Sequence, residues 1–226
     1  MTILKKVKDN LIPLSLILTV PLFNLGYNLT NNSGGRIHNL TGSLDNAIPF
    51  LKLFILPYMT WYAFLLLSLA YLCFNYKEVF YKTILSIDIG LIICYLIYFF
   101  FQTTVPRPAV VGQDFFSLLV IFLYRSDPPL NCLPSIHVLT TFLVMRAIFI
   151  TPARRTTKGR AIVIYGALII VSTLFVKQHI VVDLLVAIIL GTVLYRSVDF
   201  LLRGKVVERK SRAYPLSVQK GKSLNS

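Results

Sequence analysis

Acidic residues are scarce in this chain: nine Asp and Glu stand against 23 Lys and Arg, for a formal net charge of +14. Histidine is scarcer still, at three, and there is a single tryptophan. In a soluble protein this balance would point to nucleic acid. Here the basic residues gather in loops and tails between apolar runs, so the charge reads as membrane topology and no nucleic-acid partner is expected. The basic tail also suits contact with anionic lipid. Cys73, Cys94 and Cys132 share no metal or redox spacing, and none is assigned a role. The basic start MTILKKVKDN is not followed by a small-residue cleavage site, so the next apolar stretch reads as a retained helix. There is no internal repeat and no low-complexity tract.

What is abundant is apolar. Hydrophobic residues make up 56% of the 226 residues, and the mean hydropathy is +0.71. Soluble domains hold about 45–50%. Several runs reach the roughly 20 residues that a bilayer requires. The pattern predicts an all-α, polytopic membrane protein with six transmembrane helices, at 11–30, 48–74, 83–101, 135–150, 161–176 and 180–202. Pro57 should kink the second. The segment NYKEVFYK reads as a short turn between the second and third. Residues 1–204 form one domain, and 205–226 are expected to be a disordered basic tail on the cytoplasmic side.

Sixteen Lys and Arg fall in the N-terminus, the second-to-third turn, the fourth-to-fifth loop and the tail, against five in the remaining loops. Both termini are therefore expected in the cytoplasm. The long outer connection, 102–133, contains DFFSLLVIFLYR, apolar but too short to span. It reads as an interfacial or re-entrant helix, or as a plain loop helix packed on the bundle. Asp88, Arg146 and Arg196 lie at similar depths inside spans and are expected to pair, because an unpaired charge in lipid is costly.

Three outward segments carry polar residues that a bilayer protein otherwise avoids: TTVPRP, PSIH and KQHIVVD. Ionisable groups at such positions are functional candidates. His179 and Asp183 are four apart, on one face of a helix start. A carboxylate there can hold one imidazole nitrogen and aim the other at a substrate, which prepares a nucleophile. The same spacing also suits a structural pair or two metal ligands. In PSIH, Pro134 opens a helix whose free N–H groups attract anions, Ser135 adds a donor, and His137 is placed to protonate a leaving oxygen. An ordinary helix start with an interfacial histidine has the same pattern. Arg107, between two prolines, offers paired donors to phosphate, and Lys177 a second cation. Two of three histidines fall in these segments. Together the parts match a phosphoryl-transfer site.

The order PRP, PSIH, S-x6-H-x3-D resembles the type 2 phosphatidic acid phosphatase superfamily, whose motifs are written K-x6-RP, PSGH and SR-x5-H-x3-D. The stretch LDNAIPFLKLFILPYMTWY resembles the second-helix region of a bacterial branch. The resemblance implies a six-helix plasma-membrane enzyme with His179 as phosphohistidine nucleophile, Asp183 as its orienting acid and His137 as general acid. Arg107, Ser135 and Ser172 would bind phosphate. The motif-one lysine position holds Phe100, the motif-two glycine position Ile136 and the motif-three arginine position Thr173, with Lys177 or Arg125 left to compensate. The expected function is a lipid phosphate phosphatase acting on a phospholipid or polyprenyl phosphate, with no metal or organic cofactor. Phospho-headgroup transfer, and a non-catalytic membrane protein of the same fold, are the alternatives.

Overall fold

A computed structural model describes Lys8, residues 10–30 and residues 36–213. Most of the basic N-terminus, the centre of the first polar loop and residues 214–226 of the basic tail lie outside these described residues. The chain is mostly helical. Helix α1 (Leu11–Ser15) passes through a 3-10 turn into α2 (Thr19–Thr30). A two-residue strand, β1 (His38–Asn39), and short α3 (Ser43–Ala47) lead to α4 (Ile55–Met59) and α5 (Trp61–Asn75). Then come α6 (Lys77–Phe100), β2 (Thr103–Thr104), α7 (Phe115–Ser126), α8 (Ile136–Phe149), α9 (Thr157–Phe175) and α10 (Val181–Ala213). Strands β1 and β2 pair in parallel, His38 against Thr103.

Among the described residues, four helical stretches are long and apolar enough to cross a membrane: Lys52–Asn75, Lys77–Phe100, Thr157–Phe175 and Val181–Arg203. The predicted fourth span differs in kind. It is α8, 14 residues long, or about 21 Å at 1.5 Å per residue. That is shorter than a hydrocarbon core of about 30 Å. It is also the centre of the bundle: Leu139, Leu143, Val144, Ala147 and Ile148 are fully buried, and α5, α6, α9 and α10 pack around it. Small residues allow this approach. A Cβ on Gly90 would lie 2.9 Å from Leu139, and one on Gly191 3.1 Å from it.

The helix ends also depart from expectation. NYKEVFYK is not a turn: α6 begins at Lys77, immediately after Tyr76. Its polar start is stabilised by Lys82, which bridges Glu78 at 2.6 Å and Asp199 of α10 at 2.9 Å. Helix α9 begins at Thr157, where the Thr156 hydroxyl accepts from the Gly159 N–H. Helix α10 runs past the predicted end at 202 as far as Ala213. The break near Pro57 falls at Thr60. Asp88, Arg146 and Arg196 do not pair with one another. Asp88 accepts from Thr19 at 2.8 Å, Arg146 lies over the Tyr195 ring, and Arg196 is exposed. Their similar depth does not bring them side by side, because they project from different helices and faces.

The turns at Tyr76 and at Pro152–Arg155 share one end of the bundle. At the other end lie the loops around β1, β2 and α7 and the short link from α9 to α10. DFFSLLVIFLYR forms α7, capped by Asp114 through the Ser117 N–H. Val120 packs with Ile55, Tyr58 and Val176, while Phe115, Leu118 and Phe122 stay exposed.

Candidate active site

The link between α9 and α10 carries the nucleophile candidate. Helix α9 ends at Phe175 and α10 begins at Val181, so His179 precedes the helix rather than opening it. Two bonds pin this link: the Gln178 and His179 N–H groups both donate to the Thr173 carbonyl. Asp183, in the first turn of α10, turns back. Its Oδ2 accepts from the Ile180 N–H at 3.0 Å and lies 3.3 Å from His179 Nδ1. The Cys132 carbonyl lies 3.0 Å from the same nitrogen. Two acceptors at Nδ1 hold the proton there and leave Nε2 with a lone pair. Asp183 is fully buried and its Oδ1 has no partner among the described residues.

His137 stands in the first turn of α8. Its ring packs on Tyr58 at 4.7 Å and Trp61 at 4.2 Å between centroids. Trp61 is held by a bond from its indole N–H to Thr140, one turn along α8. The His137 and His179 centroids are 5.7 Å apart. His137 Nδ1 is buried with no partner among the described residues. Both imidazoles and Arg107 line one cavity of about 320 Å³. A second cavity, about 480 Å³, meets it at Arg107 and His179.

Arg107 is held by its neighbours. One terminal nitrogen donates to the Asp127 carbonyl at 2.6 Å, the other to Gln178 Oε1 at 2.5 Å. The guanidinium lies 4.6 Å from the Tyr124 ring centre, and its Nε is buried without a partner among the described residues. The motif residues thus divide. His137, His179 and Arg107 converge, with Asp183 behind His179.

The other expected phosphate ligands make hydrogen bonds within the scaffold. Ser135 is the N-cap of α8, its hydroxyl accepting from the Val138 N–H; Pro134 precedes the helix. Ser172 is buried inside α9, bonded to the Ile169 carbonyl, and lines neither cavity. Lys177 adopts φ 52°. Its amine reaches the Asp45 and Ile48 carbonyls at 2.9 and 2.5 Å, on the side of the second cavity. Asp45 itself ties the first loop to α10, accepting from the Val181 N–H at 2.8 Å. Arg125 is exposed and lines neither cavity. Phe100 is 79% exposed, on the outside of the bundle, and Thr173 is buried. A cation at either position would not face the cavity without rearrangement.

Two residues were not singled out from sequence. Gln178 is buried, and its Nε2 has no partner among the described residues although the side chain lines the first cavity. It stands inside the KQH triplet, between Lys177 and His179. Asp127 lines the same cavity. Its signal was an acid followed by two prolines in an acid-poor chain, the mirror of Arg107. Burial holds the Asp127 carboxyl above the ordinary carboxylate range, against the opposing pulls of Tyr27, Arg107 and His179. Burial likewise pushes the Cys132 thiol up. No cluster of three or more His, Cys, Asp or Glu suited to a metal ion occurs among the described residues. No family model, curated protein or solved structure matches the chain.

Proposed function

We propose that this chain is a membrane enzyme that transfers the phosphoryl group of a lipid through a phosphohistidine on His179. The supporting observation is the meeting of a tautomer-fixed imidazole, a second imidazole and a guanidinium on one cavity. His179 Nε2 attacks phosphorus in line, forming N–P as the P–O bond to the leaving alcohol breaks. His137 gives that oxygen its proton. Arg107 and the free amide N–H of Gln178 take the non-bridging oxygens. Water then attacks phosphorus, passes a proton to His137 and releases His179. With water as acceptor the enzyme is a lipid phosphate phosphatase, on the outer face of a bacterial plasma membrane if the sixteen basic residues mark the cytoplasmic side.

A second reading, headgroup transfer, is favoured by the charge of the site. Among the described residues Arg107 is the one Lys or Arg lining the first cavity, which suits a singly charged phosphodiester better than a dianionic monoester. One experiment serves both. Phospholipid labelled at phosphorus is mixed with enzyme and denatured rapidly at alkaline pH, where phosphohistidine survives. Label should remain on wild-type protein and be absent from His179→Ala. Free phosphate from a monoester, or phosphatidic acid or a water-soluble phosphoalcohol from a diester, means hydrolysis; label joined to a second lipid's hydroxyl means transfer. Normal turnover by His179→Ala would end the assignment.

A further inference from the structure

The cavity that holds Arg107, His137 and His179 also holds a carboxylate for which phosphoryl transfer has no use. Asp127 follows α7 and is half-buried. Its Oδ1 accepts from the Tyr27 hydroxyl at 2.8 Å, and its Oδ2 has no hydrogen bond among the described residues. Arg107 is near enough to favour its charged form, but the guanidinium bonds the Asp127 carbonyl, and the side chain has no ion pair among the described residues. Withdrawing a carboxylate from water without a cationic partner is unfavourable. A half-buried carboxylate that lines the same cavity as the phosphate site is placed to receive a positive group arriving from outside.

Charge and shape agree on what that group is. Among the described residues, the cavity lining holds one guanidinium, one carboxylate and two imidazoles. A dianionic monoester would place surplus negative charge beside Asp127. A phosphodiester carrying an ammonium group would give each wall its opposite. Tyr27, Tyr58 and Trp61 line the same space, and aromatic faces attract ammonium groups. A volume of about 320 Å³ suits a headgroup rather than a whole lipid.

We infer that this cavity is a headgroup subsite for a phosphodiester lipid bearing an ammonium group, with Asp127 and its aromatic neighbours holding the ammonium and Arg107 the phosphate. This rests on the phosphoryl-transfer reading for the identity of the anion. Asp127 is then a specificity-determining residue.

The chain's one tryptophan is Trp61, in the cavity wall, so its fluorescence reports occupancy without turnover. The purified full chain in detergent is mixed with dihexanoyl phosphatidylethanolamine, phosphatidylglycerol or phosphatidic acid, and the quench is read before turnover. The ethanolamine lipid should bind about tenfold tighter than the glycerol lipid, the gain of one desolvated ammonium contact. Asp127→Asn should bring that ratio near one, and Asp127→Glu should keep part of it. N-acetylated phosphatidylethanolamine, with its charge removed, should lose the preference on unmutated protein, which decides the matter if the variants do not fold. A ratio near one on wild type, phosphatidic acid as the tightest ligand, or a ratio indifferent to Asp127→Asn or to acetylation overturns the inference. An ethanolamine preference without phosphohistidine keeps the subsite and sinks the transfer reading; phosphohistidine without headgroup preference does the reverse.

Discussion

His179 Nδ1 lies closer to the Cys132 carbonyl, at 3.0 Å, than to the Asp183 carboxylate, at 3.3 Å. Either acceptor can fix the tautomer, but only the carboxylate carries charge to stabilise the ring as it becomes cationic. The two contributions are therefore separable.

Asp183→Asn keeps an oxygen for the Ile180 N–H and leaves the Cys132 carbonyl to hold the ring. Its kcat should fall by less than the roughly 10⁴-fold that follows when such a substitution leaves a catalytic histidine in the wrong tautomer. His179→Ala should fall to background. Equal losses in single-turnover assays would mean that the carbonyl does not hold the tautomer.

Gln178→Ala removes the acceptor that steadies Arg107 and the amide donor left free in the cavity. KM should rise about tenfold, the effect of one hydrogen bond to a charged group. Gln178→Glu should be worse, because its carboxylate would pair with Arg107 and repel phosphate. An unchanged KM in both would remove Gln178 from the binding site.

Lys177 is a test of structure against chemistry. Its amine satisfies two carbonyls of the first loop, and its φ of 52° is one that glycine adopts freely. Lys177→Gly should lower stability by about 1–3 kcal/mol through the orphaned carbonyls, with kcat/KM within about threefold of wild type. Thermal unfolding and steady-state rates measure both. A large rate loss in a protein of normal stability would return Lys177 to phosphate binding.

Burial raises the Asp127 carboxyl above its ordinary range. Between the ordinary and raised values the folded protein binds more protons at this group than the unfolded chain does. Its contribution to stability is thus fully present below the ordinary value and declines as pH rises through the raised one. Tm followed from about pH 4 upward, near the ordinary Asp value, should fall less steeply in Asp127→Asn than in wild type. Parallel curves would show that the carboxylate is not desolvated.

Helix positions were largely legible, because apolar runs bounded by polar loops carry their own signal. Their ends were not. Lys77, Glu78 and Lys82 look like a turn until Asp199, more than a hundred residues on, supplies a partner for Lys82. The spacing of His179 and Asp183 suggested one helix face, and the proximity is real. It arises instead from a carboxylate capping the helix start while the histidine lies just before it. Gln178 and Asp127 were missed because their partners are distant in sequence: Arg107 is 71 residues from Gln178, and Tyr27 is 100 from Asp127.

By itself the sequence determined the helical, membrane-compatible character of the chain and which loops gather its histidines and Arg107. Those are properties of composition and of period along the chain, which burial of apolar surface reads directly. Only the tertiary structure decided which polar groups meet: that Ser135 caps α8 and Lys177 reaches two loop carbonyls, that a backbone carbonyl shares His179 with Asp183, and that Asp127 joins the cavity. A hydrogen bond requires its partners within a few tenths of an ångström, and that precision comes from the packing of whole helices around α8, not from any local pattern.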